Sequence, residues 1–187
     1  LNAIYDLCNK VYVDALIQSG RETHERQALI EMVERSDDRE KTIIMADRGY
    51  ESYNVFEHIK QKGWNYLIRI KDINSSGISS GLNLPHAEIF DEEINFLLTR
   101  RQTNEVKSNP KIYKFIASNQ IFDYLLPEDR GTYPMSFRIV RFPISEDTYE
   151  VLITNLKEDE FSIEKLKELY HMRWGIETAF RELKYAI

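Results

Sequence analysis

Short apolar runs separated by polar turns dominate the first part of the chain, and they predict a hairpin followed by a helix. The runs Ala3–Leu7 and Val11–Ile17 flank a polar turn, an arrangement typical of a β-hairpin. Between Ala28 and Val33 the apolar residues recur at helical spacing, which indicates an amphipathic helix.

The next three runs predict strand, helix and strand. "KTIIMAD" is a short apolar run that ends at Asp47 and suits a buried strand. "SYNVFEHIKQKG" predicts a helix bounded by Ser52 and Gly63, and "WNYLIRIKD" predicts another strand. Residues 1–71 therefore have the order β-β-α-β-α-β, which predicts an α/β fold with a mixed sheet and helices packed against it.

From Asp72 onward the pattern changes to loops and strands. A stretch rich in Ser, Gly and Asn is followed by four strand-like runs, "INFLLTR", "KIYKFIAS", "SFRIVRFP" and "TYEVLITNL". We interpret residues 72–155 as a β-rich insertion between two parts of the core. Residues 156–187 then return to the core as one helix that begins near residue 163.

This last helix carries an unusual polar stripe. At about 100° per residue, Tyr170, Arg173, Glu177 and Lys184 all fall within about 60° of one another around the helix axis. The stripe therefore presents a carboxylate between two cations and a phenol. The alternative for Glu177 alone is an exposed helix residue paired with Arg173 or with the arginine that follows by four.

Asp47 is the second candidate, because it lies where a buried strand gives way to a turn that contains Gly49. Ligands of open α/β sheets collect at the carboxyl ends of strands, and a carboxylate there is suited to hold a divalent metal. The alternative is a simple turn aspartate. Arg69 and Lys71, at the end of another strand, are interpreted as solvated edge charges, with contact to DNA as the alternative.

Metal-assisted cleavage of a phosphodiester needs such a set of residues. Carboxylates hold the Mg²⁺ ions that activate water and stabilise the leaving oxygen. Basic and hydroxyl side chains bind the non-bridging oxygens of the DNA backbone, with arginine suited to a bidentate contact.

The overall composition changes this picture little. The formal net charge of −6 argues mildly against a nucleic-acid partner, although a local basic stripe is sufficient to bind DNA. No apolar run reaches the length of about 18 residues typical of a membrane span, so no membrane partner is expected. The single cysteine excludes an internal disulfide and favours a reducing compartment.

Two motifs make the chain similar to a known family. "YHMRWGIETAFRELK" matches the pattern Y-x2-R-x3-E-x6-K and resembles the signature of the DDE transposases of the insertion sequence four family. "ADRGY" resembles that family's second-aspartate motif, D-x-G followed by Tyr or Phe. The β-rich stretch resembles the insertion that these enzymes carry between the second aspartate and the glutamate, so the resemblance covers nearly the whole chain.

This resemblance implies a ribonuclease-H-like core with a defined active site. Asp47 and Glu177 would be the second and third catalytic carboxylates and would bind Mg²⁺ or Mn²⁺. Tyr170, Arg173 and Lys184 would contact DNA phosphates. The implied partners are double-stranded DNA, as element ends and target, and a second copy of the chain assembled on that DNA. The implied location is the bacterial cytoplasm, in association with the nucleoid.

The sequence departs from the family pattern at the first aspartate. That residue belongs on the first core strand in a "DGS"-like context, and no such motif is present. We expect it to precede Leu1, and we interpret Asp6 and Asp14 as hairpin residues. The fragment alone is then expected to be inactive. Two alternatives remain: a catalytically incomplete remnant that binds DNA or dimerises, and a host nuclease of the same fold.

Overall fold

The order of helices and strands confirms the predicted α/β class. The computed structural model describes residues 1–19, 24–37 and 41–185, and within the last helix it describes side chains as far as residue 182. The strands are β1 (Asn2–Asp6), β2 (Val11–Leu16), β3 (Ile43–Ala46), β4 (Asn65–Ile70), β5 (Phe90–Thr99), β6 (Tyr113–Phe115), β7 (Thr132–Ser145) and β8 (Thr148–Thr154). The helices are α1 (Glu25–Arg35), α2 (Tyr53–Gln61), α3 (Asn104–Ser108), α4 (Ile163–Met172) and α5 (Trp174–Tyr185).

The predicted hairpin is present, and among the described residues it forms a two-stranded sheet of its own. Its turn is closed by the Asp6 carboxylate, which accepts hydrogen bonds from the backbone N–H groups of Cys8 and Asn9. The hairpin packs against α1 and α5 instead of joining the main sheet; the rings of Tyr12 and Phe180, for example, lie 5.8 Å apart.

The main sheet has six strands in the order β3-β4-β8-β7-β5-β6. The β3/β4 and β5/β6 pairs are parallel and the other pairs are antiparallel, so the predicted mixed sheet is confirmed. The strands of residues 72–155 are hydrogen-bonded in the same sheet as β3 and β4. That residues 72–155 form an insertion between two parts of the core stays a prediction.

The sheet contributes to two hydrophobic cores, one on each face, because successive side chains of a strand point to opposite sides. On β4, Tyr66 and Ile68 belong to the larger core, which also includes Phe56 of α2, whereas Leu67 belongs to the smaller core with Leu166 of α4. Helix α4 therefore covers the face opposite to α1 and α2.

The prediction of one continuous C-terminal helix is wrong, because the helix is interrupted at Arg173. There Arg173 N–H donates to the Tyr170 carbonyl and Ile176 N–H donates to the Arg173 carbonyl, which is the three-residue spacing of a tighter turn. Gly175 follows directly, and a Cβ atom at this position would lie 2.6 Å from Leu7 Cδ2. A larger residue here would displace the Leu7 side chain of the hairpin, and glycine, a weak helix former, therefore lies beside the interruption.

The interruption changes the predicted polar stripe, which assumed one straight helix. Tyr170 and Arg173 are buried in the structure, whereas the side chain of Glu177 is 42% exposed. Across the part of the chain that the structure describes, no helix has the length and hydrophobicity needed to cross a lipid bilayer.

Candidate active site

Asp47 lies at the carboxyl end of β3. Its backbone remains extended (φ −83°, ψ 175°), and its carboxylate accepts a hydrogen bond from Arg48 N–H at 2.6 Å, which begins a 3₁₀ turn. The alternation of β3 places Asp47 on the side of Ile43 and Met45, which pack against the smaller core. The exposed carboxylate thus lies on the face that α4 covers.

Two charged residues of neighbouring strands lie beside Asp47. Met45 is paired with Leu67 in the parallel β3/β4 register, so continuing this register by two residues brings Asp47 level with Arg69. Arg69 Nε is 3.3 Å from the Glu150 carboxylate on β8. The end of the sheet therefore carries a row of three charged side chains across β3, β4 and β8.

Helix α4 brings Tyr170 and Arg173 to this row. Tyr170 is 3% exposed, and its hydroxyl lies 3.4 Å from the carbonyl oxygen of Ala46, the residue before Asp47. Arg173 is 9% exposed, and its guanidinium carbon lies 5.4 Å from the centre of the Tyr170 ring. Packing of the helix against the smaller core therefore positions both residues next to the strand end.

Glu177 is connected to this group through Arg173. Arg173 Nη1 donates a hydrogen bond to Glu177 Oε1 at 2.9 Å, which is the ordinary four-residue helix pairing that the sequence also allowed. The other carboxylate oxygen of Glu177 accepts no hydrogen bond from any described residue. Arg173 Nε is buried and has no hydrogen-bond partner within the described residues, so the site contains a free donor.

The electrostatics show that the members of the group influence one another. Burial raises the pKa of the Glu150 carboxyl, an effect that Arg69 and Arg173 oppose and Asp47 reinforces. Burial also raises the pKa of Tyr170, and Arg173 opposes this. For the Arg173 guanidinium, burial alone would lower the pKa, but Tyr170, Glu177 and Asp47 together raise it.

The structure thus brings together four of the five predicted site residues, Asp47, Tyr170, Arg173 and Glu177. The fifth, Lys184, has a side chain outside the described part of the structure. Asp6 and Asp14 are hairpin residues, as expected: Asp6 closes the turn, and Asp14 forms an ion pair with Arg35 at 2.6 Å.

The sequence did not identify Glu150 as a residue of the site. The sequence-based interpretation of Arg69 as a solvated edge charge is also wrong. Arg69 is partly buried and paired with Glu150 instead of being a solvated edge charge. A signal was present, since Glu150 is the one charged residue of its strand. The β4/β8 register, which the sequence does not reveal, is needed to place the glutamate beside Arg69.

The donor chemistry of Asp47 and Glu177 fits a hard divalent cation, because Mg²⁺ and Mn²⁺ prefer carboxylate oxygen. Within residues 1–19, 24–37 and 41–182, no group of three His, Cys, Asp or Glu side chains is close enough to hold an ion. The described residues therefore offer at most two side chains of these four types to one ion. Water and substrate oxygens complete such a coordination shell.

Comparison with known proteins gives one family match. A family model described as "Transposase DDE domain" matches residues 1–186. A comparison with curated protein sequences gives no match.

Proposed function

Because the chain belongs to the transposase DDE domain family, we propose that it cleaves DNA strands at the ends of a mobile element and transfers them into target DNA. The family acts in DNA transposition, and the mixed six-stranded sheet with helices on both faces is consistent with a ribonuclease-H-like DDE domain. The proposal adds divalent-metal dependence and named catalytic residues, in line with the resemblance to the insertion sequence four family.

One observation carries the proposal, the position of Arg173: it is hydrogen-bonded to Glu177 at 2.9 Å and lies over the ring of Tyr170, whose hydroxyl contacts the residue before Asp47. Asp47 and Glu177 each raise the pKa of its guanidinium, although they come from distant parts of the chain. A cation near two carboxylates, with a buried and unpartnered N–H of its own, suits a site where a phosphate binds beside a metal.

The proposed roles follow from position. Asp47 and Glu177 would bind Mg²⁺ or Mn²⁺, which supplies water activation and stabilisation of the leaving oxygen. Arg173 would donate its free Nε–H to a non-bridging phosphate oxygen. The hydroxyl of Tyr170 is engaged only by a long 3.4 Å contact with Ala46, so it would be free to donate to a phosphate placed next to Asp47.

The role of Lys184 as a further phosphate contact rests on the family resemblance. The same resemblance supports assembly of two copies on paired element ends and a location at the bacterial nucleoid. The mass of the protein–DNA complex, measured by light scattering, tests the assembly: two protein copies per complex are expected, and one copy contradicts it.

The experiment is Mg²⁺-dependent cleavage of labelled duplexes that contain the element ends, using the complete gene product. Glu177→Gln is expected to lose at least about 100-fold in cleavage rate, more than the 10–100-fold typical of groups that only orient a metal ligand. DNA binding is expected to remain. Folding should be preserved, because glutamine keeps a side-chain oxygen that can accept the hydrogen bond that Arg173 Nη1 now donates to Glu177 Oε1.

The matched control is Glu168→Gln. Glu168 is an exposed glutamate of α4, and it is expected to be dispensable. Cleavage by Glu177→Gln at the wild-type rate contradicts the proposal. DNA binding without cleavage by the wild type favours the incomplete remnant, and cleavage without joining of ends favours a host nuclease.

A further inference from the structure

A pocket lies beside the Asp47 turn, on the face of the sheet opposite to Tyr170. Its volume is about 340 Å³, and its lining includes Arg26, Arg48 and Lys71. Tyr53, which belongs to the larger core, also lines it and places the pocket on that face. Because Arg48 directly follows Asp47, the pocket and the candidate active site share one edge of the sheet.

The pocket has an excess of positive charge. Arg26 donates from Nε to the Gly49 carbonyl at 2.8 Å, which fixes one guanidinium at the rim. The side chains of Arg48 and Lys71 form no ion pair or hydrogen bond with any residue that the structure describes. Cations that converge on one concavity without a partner are suited to bind an anion.

The one carboxylate in the lining, Glu51, is already engaged. It is 8% exposed, and its two oxygens accept hydrogen bonds from the backbone N–H groups of Lys71 and Ile78. A Cβ atom at Gly77 would lie 2.7 Å from the Glu51 carboxylate and 3.1 Å from Lys71 Cβ. The carboxylate is therefore locked into the backbone and does not neutralise the cations by direct pairing.

We propose that this pocket binds a backbone phosphate of the DNA strand that passes Asp47, a few nucleotides from the cleaved bond. The inference rests on the proposed function, because it assigns DNA as the source of the phosphate. Arginine and lysine are the usual phosphate ligands. The volume is at the lower end of the range for ligand pockets, about 300–1,000 Å³, and leaves room for a phosphodiester with its sugar.

The pocket is open at one side, next to Gly81, which suits a polymeric ligand. A Cβ atom at Gly81 would meet nothing within 4 Å, so the pocket is open beside this residue. Lys114 donates to the Gly81 carbonyl, which ties this wall to β6. A DNA strand held here would extend the contact area from the active-site face to the opposite face of the same sheet edge.

The test measures binding of a fluorescent duplex by the complete gene product between 50 and 200 mM salt. Each lost phosphate contact lowers the slope of log K against log salt by about 0.9. Because both cations are proposed to hold the same phosphate, the double variant Arg48→Gln/Lys71→Gln is expected to lower it by about that amount, and each single variant by part of it. Arg130→Gln and Lys107→Gln, which replace exposed cations away from the pocket, are the matched controls and are expected to bind as the wild type does.

The outcomes separate this inference from the proposed function. If the wild type binds DNA and Arg173→Gln weakens binding while the two pocket variants equal their controls, the pocket assignment alone is wrong. If the wild type shows no salt-dependent binding, the proposed function fails as well. If dTMP binds in the pocket and the pocket variants lose that binding but keep the DNA slope, the pocket is a nucleotide site and the DNA assignment is overturned. Unchanged unfolding midpoints of the variants exclude loss of folding as the cause.

Discussion

Arg173 Nη1 donates to Glu177 Oε1 at 2.9 Å, while Arg173 Nε, on the same guanidinium, is buried without a partner among the described residues. The side chain of Arg173 is 10% and that of Glu177 42% exposed, so the pair is partly buried, and a hydrogen bond between charged groups in such a place stabilises by about 1.5–3 kcal/mol. Glu177 can leave Arg173 for a metal ion when a bound phosphate takes its place on the guanidinium. The same arginine then has both groups available for a phosphate, so ordinary helix pairing and a catalytic arrangement are compatible here.

Tyr170→Phe tests how the Tyr170 hydroxyl is used. Its 3.4 Å contact with the Ala46 carbonyl is long, so removing the hydroxyl is expected to cost less than about 1 kcal/mol of unfolding free energy. Cleavage by the complete gene product is expected to fall, because the phosphate loses a donor. Urea denaturation and the cleavage assay measure the two effects.

The comparison variant is Tyr133→Phe. The hydroxyl of Tyr133 donates to the buried Glu57 carboxylate at 2.7 Å, so this change is expected to cost about 1.5–3 kcal/mol and to leave DNA binding intact. A loss of stability in Tyr170→Phe as large as that in Tyr133→Phe would show a structural role for the Tyr170 hydroxyl instead.

Gly77→Ala is expected to destabilise the chain by about 1–3 kcal/mol. The new methyl group would lie 2.7 Å from Glu51 Oε1, and this oxygen accepts from Ile78 N–H, so the carboxylate must give up a backbone hydrogen bond. Gly131→Ala is the control, because a Cβ atom there meets nothing within 4 Å. Equal unfolding free energies for the two variants would contradict the tight packing around Glu51.

Asp72→Asn is expected to remove an acid-sensitive part of the stability. Arg141 donates two hydrogen bonds to the Asp72 carboxylate, at 2.8 and 3.0 Å, and these hold the pKa of that carboxyl below its usual range. A lowered folded-state pKa stabilises above the unfolded pKa of about 3.9, and this stabilisation is lost as the pH falls through the folded value.

At pH 7 the Asp72→Asn change is therefore expected to cost about 2–3 kcal/mol, and at pH 3 clearly less. Asp147→Asn, in the exposed turn between β7 and β8, serves as the control and should change stability by less than about 0.5 kcal/mol. Urea denaturation at both pH values measures the difference. A cost for Asp72→Asn that is the same at pH 3 and pH 7 would contradict the role given to this ion pair.

The parts of the fold with local patterns could be predicted from the sequence. The hairpin, the β3 strand and the position of Asp47 at its end follow from short apolar runs and from the turn residues beside them, which act over a few neighbours. The proposal that Asp47 and Glu177 act together rests on a family resemblance, because no local pattern reports on residues so far apart.

The remaining features depend on tertiary contacts. The interruption at Arg173 is coupled to the approach of Gly175 to Leu7, and no helix periodicity contains that information. The burial of Tyr170 comes from packing of α4 against the smaller core, whereas the stripe described only directions around an isolated helix. Glu150 needs the β4/β8 register before it can be placed beside Arg69.

The most direct test of the central claim is metal rescue of an Asp47→Cys variant of the complete gene product. Mg²⁺ disfavours thiolate ligands, and Mn²⁺ tolerates them better. Asp47→Cys is therefore expected to lose cleavage in Mg²⁺ and to regain part of it in Mn²⁺, while Asp47→Ala is rescued by neither ion. Cleavage by Asp47→Cys in Mg²⁺ at the wild-type rate, or equal rescue of Asp47→Ala by Mn²⁺, would contradict a metal bound to the Asp47 carboxylate.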